Sequence, residues 1–241
     1  IGGLKNLLAG TTTVLHHGEL VRALRSRRFP VRVVQRYGLA SSLLGLEDPA
    51  ESYHRTPPDV PWLIALAEGI DEIAANELAI LDRAGCLRQN TRLVHGVGLT
   101  GADLHRIVEV GAGLVWCPET SRFLFGEARF HRALLGRMAL GSGPRVTGSL
   151  DLLEELKLAA RVSQLPSRRL LEMVLTDAAR LLYLPDQGRL TLNAPADLIV
   201  IAHDTQDPYD ILLDCRRADL RLVMIEGEPR IGDPELEPVF R

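Results

Sequence analysis

The sequence predicts an α/β fold built on parallel β-strands. Short runs rich in β-branched residues alternate along the chain with segments that carry apolar side chains at helical spacing. This alternation favours βα units, because two parallel strands need a helix-length connection between them. The 241 residues, of which 46% are hydrophobic, suffice for one substantial core, so a single α/β barrel or layered α/β domain fits the length.

Six strands are predicted in the body of the chain, and helices are expected between them. The strands are TTTVLHH (11–17), VRVVQRYGL (31–39), WLIALAE (62–68), TRLVHGV (91–97), AGLVWCP (112–118) and RMALGSG (137–143). A short helical segment, LKNLLAG (4–10), precedes the first of them.

Two of the helices have recognisable signals. One begins at a predicted cap, Asp71. Its apolar stripe has helical spacing and consists of Ile70, Ala74, Leu78 and Leu81. The other is expected after Ser149, with Glu154, Glu155 and Lys157 on a solvated face. Its buried positions are expected at Leu152, Leu153, Leu156 and Ala160.

The character of the sequence changes near residue 190. The segments RLTLNAPADLIVIAHD (189–204) and ADLRLVMIEGEPRIG (218–232) predict strands and turns without a long helix between them. The chain is therefore divided into an α/β body, residues 1–189, and a small β portion, residues 190–241.

Composition and charge limit the classes of partner. A formal net charge of −3 gives no electrostatic reason to expect nucleic acid. No apolar run approaches the length of a membrane span, and the start does not resemble a signal peptide. Cys86, Cys117 and Cys215 are few and widely spaced, which disfavours a disulfide framework. We expect a cytoplasmic protein that binds neither nucleic acid nor membrane.

Seven segments together resemble one known family. In chain order they are GTTTVLHH, ALAEGID, TRLVHGVGLT, GLVWCPETSRFLFG, LGSGPRVTGSLDLLEELKLAA, LTDAARLLYLPDQGRL and APADLIVI. They are similar to segments of the amidohydrolase superfamily, in the branch of triazine hydrolases, cytosine and guanine deaminases and imidazolonepropionase-like proteins. The resemblance extends to about residue 230.

The resemblance implies a distorted TIM-type (β/α)8 barrel whose site lies at the carboxyl ends of the strands. It also implies a β-sandwich built from both chain ends, and one divalent metal, usually zinc or iron, that activates water to attack a carbon bearing nitrogen or halogen. The first barrel strand, with its HxH ligand pair, would precede residue 1 and is not expected in this chain.

The functional residues that the resemblance implies are unevenly present. Glu68 matches the glutamate that shuttles protons, and His95 matches the histidine that orients the attacking water. Ala65 occupies the position of the strand-five histidine ligand, and Gly143 that of the strand-eight aspartate ligand. A catalytic zinc normally has three protein ligands, and neither a methyl group nor a glycine hydrogen is a donor. We therefore expect no cofactor in this chain, or zinc or iron if the site is completed elsewhere.

Other side chains near the expected site have both functional and structural interpretations. His16 or His17 could join His95 and Glu68 as replacement metal donors, although histidines at a strand end are often structural. His17 and Arg145 are candidates for substrate contact, and Arg145 could equally be a surface residue. Cys117 could pair with His95 as a nucleophile, although cysteine is also a common core residue.

Three functions remain open from the sequence. The first is a binding or assembly protein of the hydrolase lineage, with a small molecule in the barrel mouth and metal-dependent turnover impaired. The second is an active hydrolase or deaminase, completed by an upstream segment, a homodimer mate or a companion chain. The third is metal-free proton transfer by Glu68 and His95, whose side chains are expected to approach each other across the mouth.

Overall fold

The computed structural model describes residues 1–43, 45, 48–202 and 207–240 of the chain. Within this part the strands are β1 (Thr13–Val14), β2 (Arg32–Val33), β3 (Gly38–Ala40), β4 (Trp62–Leu66), β5 (Thr91–His95), β6 (Gly113–Trp116), β7 (Met138–Leu140), β8 (Leu198–Ile201), β9 (Leu220–Ile225) and β10 (Glu228–Gly232). The helices are α1 (Gly2–Leu7), α2 (Pro49–Arg55), α3 (Glu72–Arg83), α4 (Gly101–Val110), α5 (Pro118–Phe125), α6 (Leu152–Ser163), α7 (Ser167–Val174), α8 (Thr176–Leu181) and α9 (Ile211–Asp214).

The central element is a five-stranded parallel sheet in the order β3-β4-β5-β6-β7. A second, two-stranded parallel sheet pairs β1 with β2. The predicted second strand is split between the two sheets: residues 32–33 pair with β1, and residues 38–40 pair with β4. The expected α/β class with parallel strands is thus confirmed.

The two faces of the central sheet differ in burial. On one face Ile64, Leu93 and Leu114 lie in register, have no exposed surface and share a core with side chains of the surrounding helices. On the other face Ala65 is in register with Val94, and both are partly exposed. Within the described residues β3 and β7 are the edge strands of the central sheet and each pair on one side only, so this sheet is open. The closed barrel therefore stays a prediction.

The β portion contains a three-stranded antiparallel sheet in the order β10-β9-β8. Val223 and Ile225 of β9 share a core with Leu7 and Val31 from the start of the chain. Arg32 of β2 also forms an ion pair with Asp197, just before β8. The start of the chain thus packs on this sheet, while the predicted sandwich stays a prediction. Residues 203 and 204 of the predicted strand 189–204 lie outside the described residues.

The helix predictions hold in part. The Asp71 side chain accepts a hydrogen bond from the backbone N–H of Ala74 at 2.9 Å, which confirms the cap. Ile70 does not belong to the buried stripe, because it precedes α3 and is 60% exposed. In α6 the predicted solvated face is wrong at Glu155, which has no exposed surface. Among the described residues, no helix combines the length and hydrophobicity needed to span a bilayer.

Candidate functional site

Glu68 and His95 meet at the carboxyl ends of two adjacent parallel strands. Leu66 of β4 is in register with His95 of β5, and Glu68 follows β4 by two residues. The Nε2 atom of His95 lies 3.5 Å from Oε1 of Glu68. The His95 side chain is 9% exposed and that of Glu68 is 36% exposed, so the pair has one buried and one solvent-accessible member. The geometry expected from the sequence is present.

Left-handed backbone turns bring the two side chains together. In regular strands, successive side chains point to opposite faces of the sheet. Ala67 has φ 51° and His95 has φ 76°, values that interrupt this alternation where each strand ends. Gly96, which follows with φ 69°, continues the turn after β5. The extended part of each strand thus ends just before its functional side chain.

Burial shifts the proton affinities of the pair. Desolvation, followed by the nearby charge of His17, lowers the pKa of His95 to about 4. The pKa of Glu68 is raised, first by desolvation and then by the charge of Glu77. His95 is therefore a neutral imidazole at neutral pH. In this state it offers one donor and one acceptor nitrogen.

The two expected ligand positions contain no donor and differ in the space around them. Ala65 lies on the partly exposed face of the sheet. Gly143 has φ 59°, and a Cβ atom there would meet Oγ1 of Thr120 at 2.1 Å. Within the described ranges, no group of three or more His, Cys, Asp or Glu side chains is placed to hold a metal ion. The described residues therefore do not fit a zinc or iron centre.

The remaining predicted residues contribute less to the site. His16 and His17 lie beyond the end of β1, and both are exposed. Of the two, His17 is near enough to affect the His95 pKa, but the part of the chain that the structure describes does not form a replacement metal site. Arg145 is exposed in the segment between β7 and α6. Burial raises the pKa of the Cys117 thiol to about 12, which disfavours a nucleophilic thiolate. The predicted roles of Arg145 and His17 in substrate contact stay predictions.

The sequence reasoning missed two side chains near the site, His131 and Glu77, and wrongly predicted that a third, Glu155, is solvated. His131 is buried, and its Nε2 lies 2.7 Å from the carbonyl oxygen of Gly96. Glu77 of α3 accepts a hydrogen bond from the Ala67 N–H at 2.5 Å. Glu155 of α6 accepts one from the Glu119 N–H at 2.8 Å. None of these contacts follows from sequence spacing, because each joins separate elements.

Two surface cavities lie away from the pair. One, of about 350 Å³, is lined by residues that precede β4, including Asp59 and Pro61, and by Tyr183. The other, of about 570 Å³, is lined by the segment from Thr176 to Arg189. Neither includes Glu68 or His95. We assign the candidate site to the Glu68–His95 pair because neither cavity is lined by a histidine beside a carboxylate.

Known proteins are similar to this chain in sequence or in fold, although no protein-family model matches the chain. The 5-methylthioadenosine/S-adenosylhomocysteine deaminase of Halobacterium salinarum is 28% identical over 188 residues, 70% of this chain and 43% of the relative. The 8-oxoguanine deaminase of Pseudomonas aeruginosa is 26% identical over 205 residues, 74% of this chain and 45% of the relative. A zinc-bound adenosine deaminase of Xanthomonas campestris superposes with a TM-score of 0.77 at 20% identity, over 95% of this chain and 68% of that chain, and so shares the fold.

The chain is a homologue of the amidohydrolase-superfamily deaminases. The resemblance found in its motifs is thereby confirmed, as is its lineage among enzymes that act on C–N bonds. This amidohydrolase homologue spans less than half the length of the curated relatives above, 43% and 45% of them.

Proposed function

We propose that this amidohydrolase homologue binds a small nitrogen heterocycle at Glu68 and His95, with little metal-dependent turnover on its own residues. The observation that carries the proposal is the 3.5 Å contact between Glu68 and His95, combined with two ligand positions of the family, Ala65 and Gly143, that provide no metal donor. Bulk water is about nine pKa units less acidic than zinc-bound water, and two proton-transfer groups do not replace that activation.

The chemistry of the pair matches the edge of a purine-type ring. A neutral His95 can donate to a ring nitrogen or accept from a ring N–H. A Glu68 carboxyl with a raised pKa can be ionised and accept from an exocyclic amine, or protonated and donate. The two curated relatives above are named as deaminases of 5-methylthioadenosine, S-adenosylhomocysteine and 8-oxoguanine, so purines are the first ligand class to test.

A second candidate function is an active hydrolase completed by another chain. The partly exposed face around Ala65 and Val94, together with the unpaired outer sides of β1 and β7 in the described structure, favours it. Parallel sheets are normally covered on both faces. A homodimer mate or a companion chain would then supply the missing ligands, and zinc or iron would be the cofactor.

Titration calorimetry with adenosine, 5′-methylthioadenosine and 8-oxoguanine tests the first proposal. We expect at least one of these compounds to bind, and Glu68→Gln and His95→Asn to weaken that binding tenfold or more, about 1.4 kcal/mol. Glu72→Gln is the matched control, because Glu72 is an exposed glutamate in the first turn of α3. Absence of binding by all three compounds would contradict the purine assignment.

Elemental analysis of the same purified protein, together with an assay for ammonia release, separates the two candidate functions. The binding function predicts less zinc or iron than a stoichiometric amount and no release of ammonia. Stoichiometric metal together with ammonia release from a purine would overturn the binding function and support the completed hydrolase.

A further inference from the structure

Glu68 follows a turn and His95 lies within one. Each of these turns forms a hydrogen bond with a side chain from outside the sheet. We propose that Glu77 and His131 are positioning residues that hold Glu68 and His95 against each other. The inference deepens the function proposed for this site, and it is tested by a measurement that needs neither ligand nor turnover.

The first contact fixes the turn that leads to Glu68. Ala67 has φ 51°, a region that residues with a Cβ atom rarely occupy without support. The carboxylate of Glu77 in α3 accepts a hydrogen bond from the Ala67 N–H at 2.5 Å. A bond to an ionised acceptor is stronger than a neutral one. Glu77 therefore stabilises the backbone conformation that directs the next side chain, Glu68, towards His95.

The second contact fixes the turn that contains His95. The backbone of His95 and Gly96 is left-handed at both residues. The Gly96 carbonyl can only accept, so Nε2 of His131, 2.7 Å away, must carry the proton and donate it. Burial lowers the pKa of His131, which keeps its ring neutral. His131 is 5% exposed, so its ring is held by packing as well as by this bond.

The two turns are also bonded to each other. The Gly96 N–H donates to the Leu66 carbonyl at 3.0 Å, and the Gly98 N–H donates to the Ala67 carbonyl at 2.9 Å. A shift in one turn therefore moves the other. Loss of either outside contact is therefore expected to separate Glu68 from His95.

The experiment is an NMR titration of the His95 ring in single variants of the full chain. Glu77→Ala and His131→Leu remove the outside contacts. Glu77→Gln keeps an oxygen that can accept from Ala67, and His131→Gln keeps an N–H that can donate to Gly96. His105→Leu, at an exposed position in α4, is the control.

We expect Glu77→Ala and His131→Leu to raise the His95 pKa by about one unit or more, because the loosened turn exposes the ring to water. Glu77→Gln and His131→Gln should leave the His95 pKa close to that of the unmodified chain. If Glu77→Ala or His131→Leu does not fold, the nuclear Overhauser contacts of the His95 ring are compared in the two Gln variants, where the unmodified contacts should persist.

Lower thermal stability with an unchanged His95 pKa in the Ala and Leu variants would overturn the inference and leave both residues merely structural. Loss of the nuclear Overhauser contacts of the His95 ring in both Gln variants would also overturn the inference. A protein that binds no purine but shows the expected pKa changes would refute the proposed function and retain the positioning role.

Discussion

The surroundings of His95 lower its pKa. Its imidazole is buried beside His17, and its backbone is left-handed where β5 ends. A histidine at a strand end would ordinarily titrate near pH 6.5. Here the neutral form is favoured down to about pH 4, so His95 can act in hydrogen bonding or proton transfer but is not a resident cation at neutral pH.

His95 should make folding stability depend on pH. Its pKa in the folded state, about 4, lies below the ordinary value of 6.5, so between these values the unfolded chain binds more protons. Its contribution to stability is therefore present above pH 6.5 and is lost as the pH falls towards 4. The loss amounts to at most about 3 kcal/mol.

Denaturant unfolding at pH 7 and pH 4 measures this effect as a difference between the unmodified chain and His95→Asn. Asparagine is chosen because it tolerates left-handed backbone. The difference removes the contributions of His17 and His131, whose pKa values are also lowered. A pH dependence that is identical in both proteins would contradict the assignment.

The first turn of helix α5 donates a hydrogen bond to a buried carboxyl group of helix α6. Glu155 of α6 accepts from the Glu119 N–H, and among the described residues no hydrogen bond of ordinary geometry is present at its Oε2 atom, although Ser149 lies near the carboxyl. Desolvation raises the Glu155 pKa, partly offset by the bonds to Glu119 and Ser149. The contact joins the segments that follow β6 and β7.

We expect Glu155→Gln to be as stable as the unmodified chain or more stable at pH 7, because it keeps an acceptor and removes a buried charge. Because the pKa of Glu155 is raised in the folded state, the unmodified chain loses stability as the pH rises above the ordinary glutamate pKa. The Gln variant should therefore gain stability relative to the unmodified chain between pH 4 and pH 7. Glu155→Ala should lose about 1–3 kcal/mol. Urea unfolding measures both, and a Gln variant less stable than the Ala variant would refute this account.

The loop after β7 would resist a simple restoration of metal ligands. Ala65→His adds a donor on the partly exposed face, but Gly143→Asp brings a Cβ atom against Oγ1 of Thr120. The double variant should therefore bind zinc weakly. Adding Thr120→Ala removes the clash, and the triple variant should bind zinc at least tenfold more tightly than the double variant.

Zinc titration calorimetry compares the double and triple variants, with Thr120→Ala alone as the control. Both variants should stay weaker than a natural catalytic site, because two protein donors fall short of the usual three. Tight zinc binding by the unmodified chain would show that Ala65 and Gly143 are not lost ligand positions.

At the level of the whole molecule, the open central sheet of the described residues is the main feature to explain. Val94 and Val115 are partly exposed on the same face as Ala65, and β7 has an unpaired side within the described structure. Exposed strand edges and apolar sheet faces favour association. We propose a second copy or a companion chain as the partner that covers this face.

Light scattering over a range of concentrations should show self-association of the chain, and Val94→Lys should reduce it. Val108→Lys is the control, because Val108 is exposed on α4, away from the sheet face. A monomer at all concentrations would exclude the second copy, and the companion chain would then be sought by the same measurement on mixtures.

The α/β class, the approximate positions of the strands and the Asp71 cap could be predicted from the sequence, because they depend on local spacing of apolar and capping residues, although the division of the second strand between two sheets could not. The pair Glu68 and His95 could be predicted from family-like motifs at strand ends. Their contact at 3.5 Å agrees with that prediction, while their roles remain to be tested.

Tertiary structure alone decided which polar groups are buried and what holds the site. Glu155 has the same local pattern as a solvated helix residue, yet it lies under α5 with no exposed surface. His131 and Glu77 reach the turns of Gly96 and Ala67 from 35 and 10 residues away. Such contacts depend on how elements pack in space, and periodicity along the chain carries no information about them.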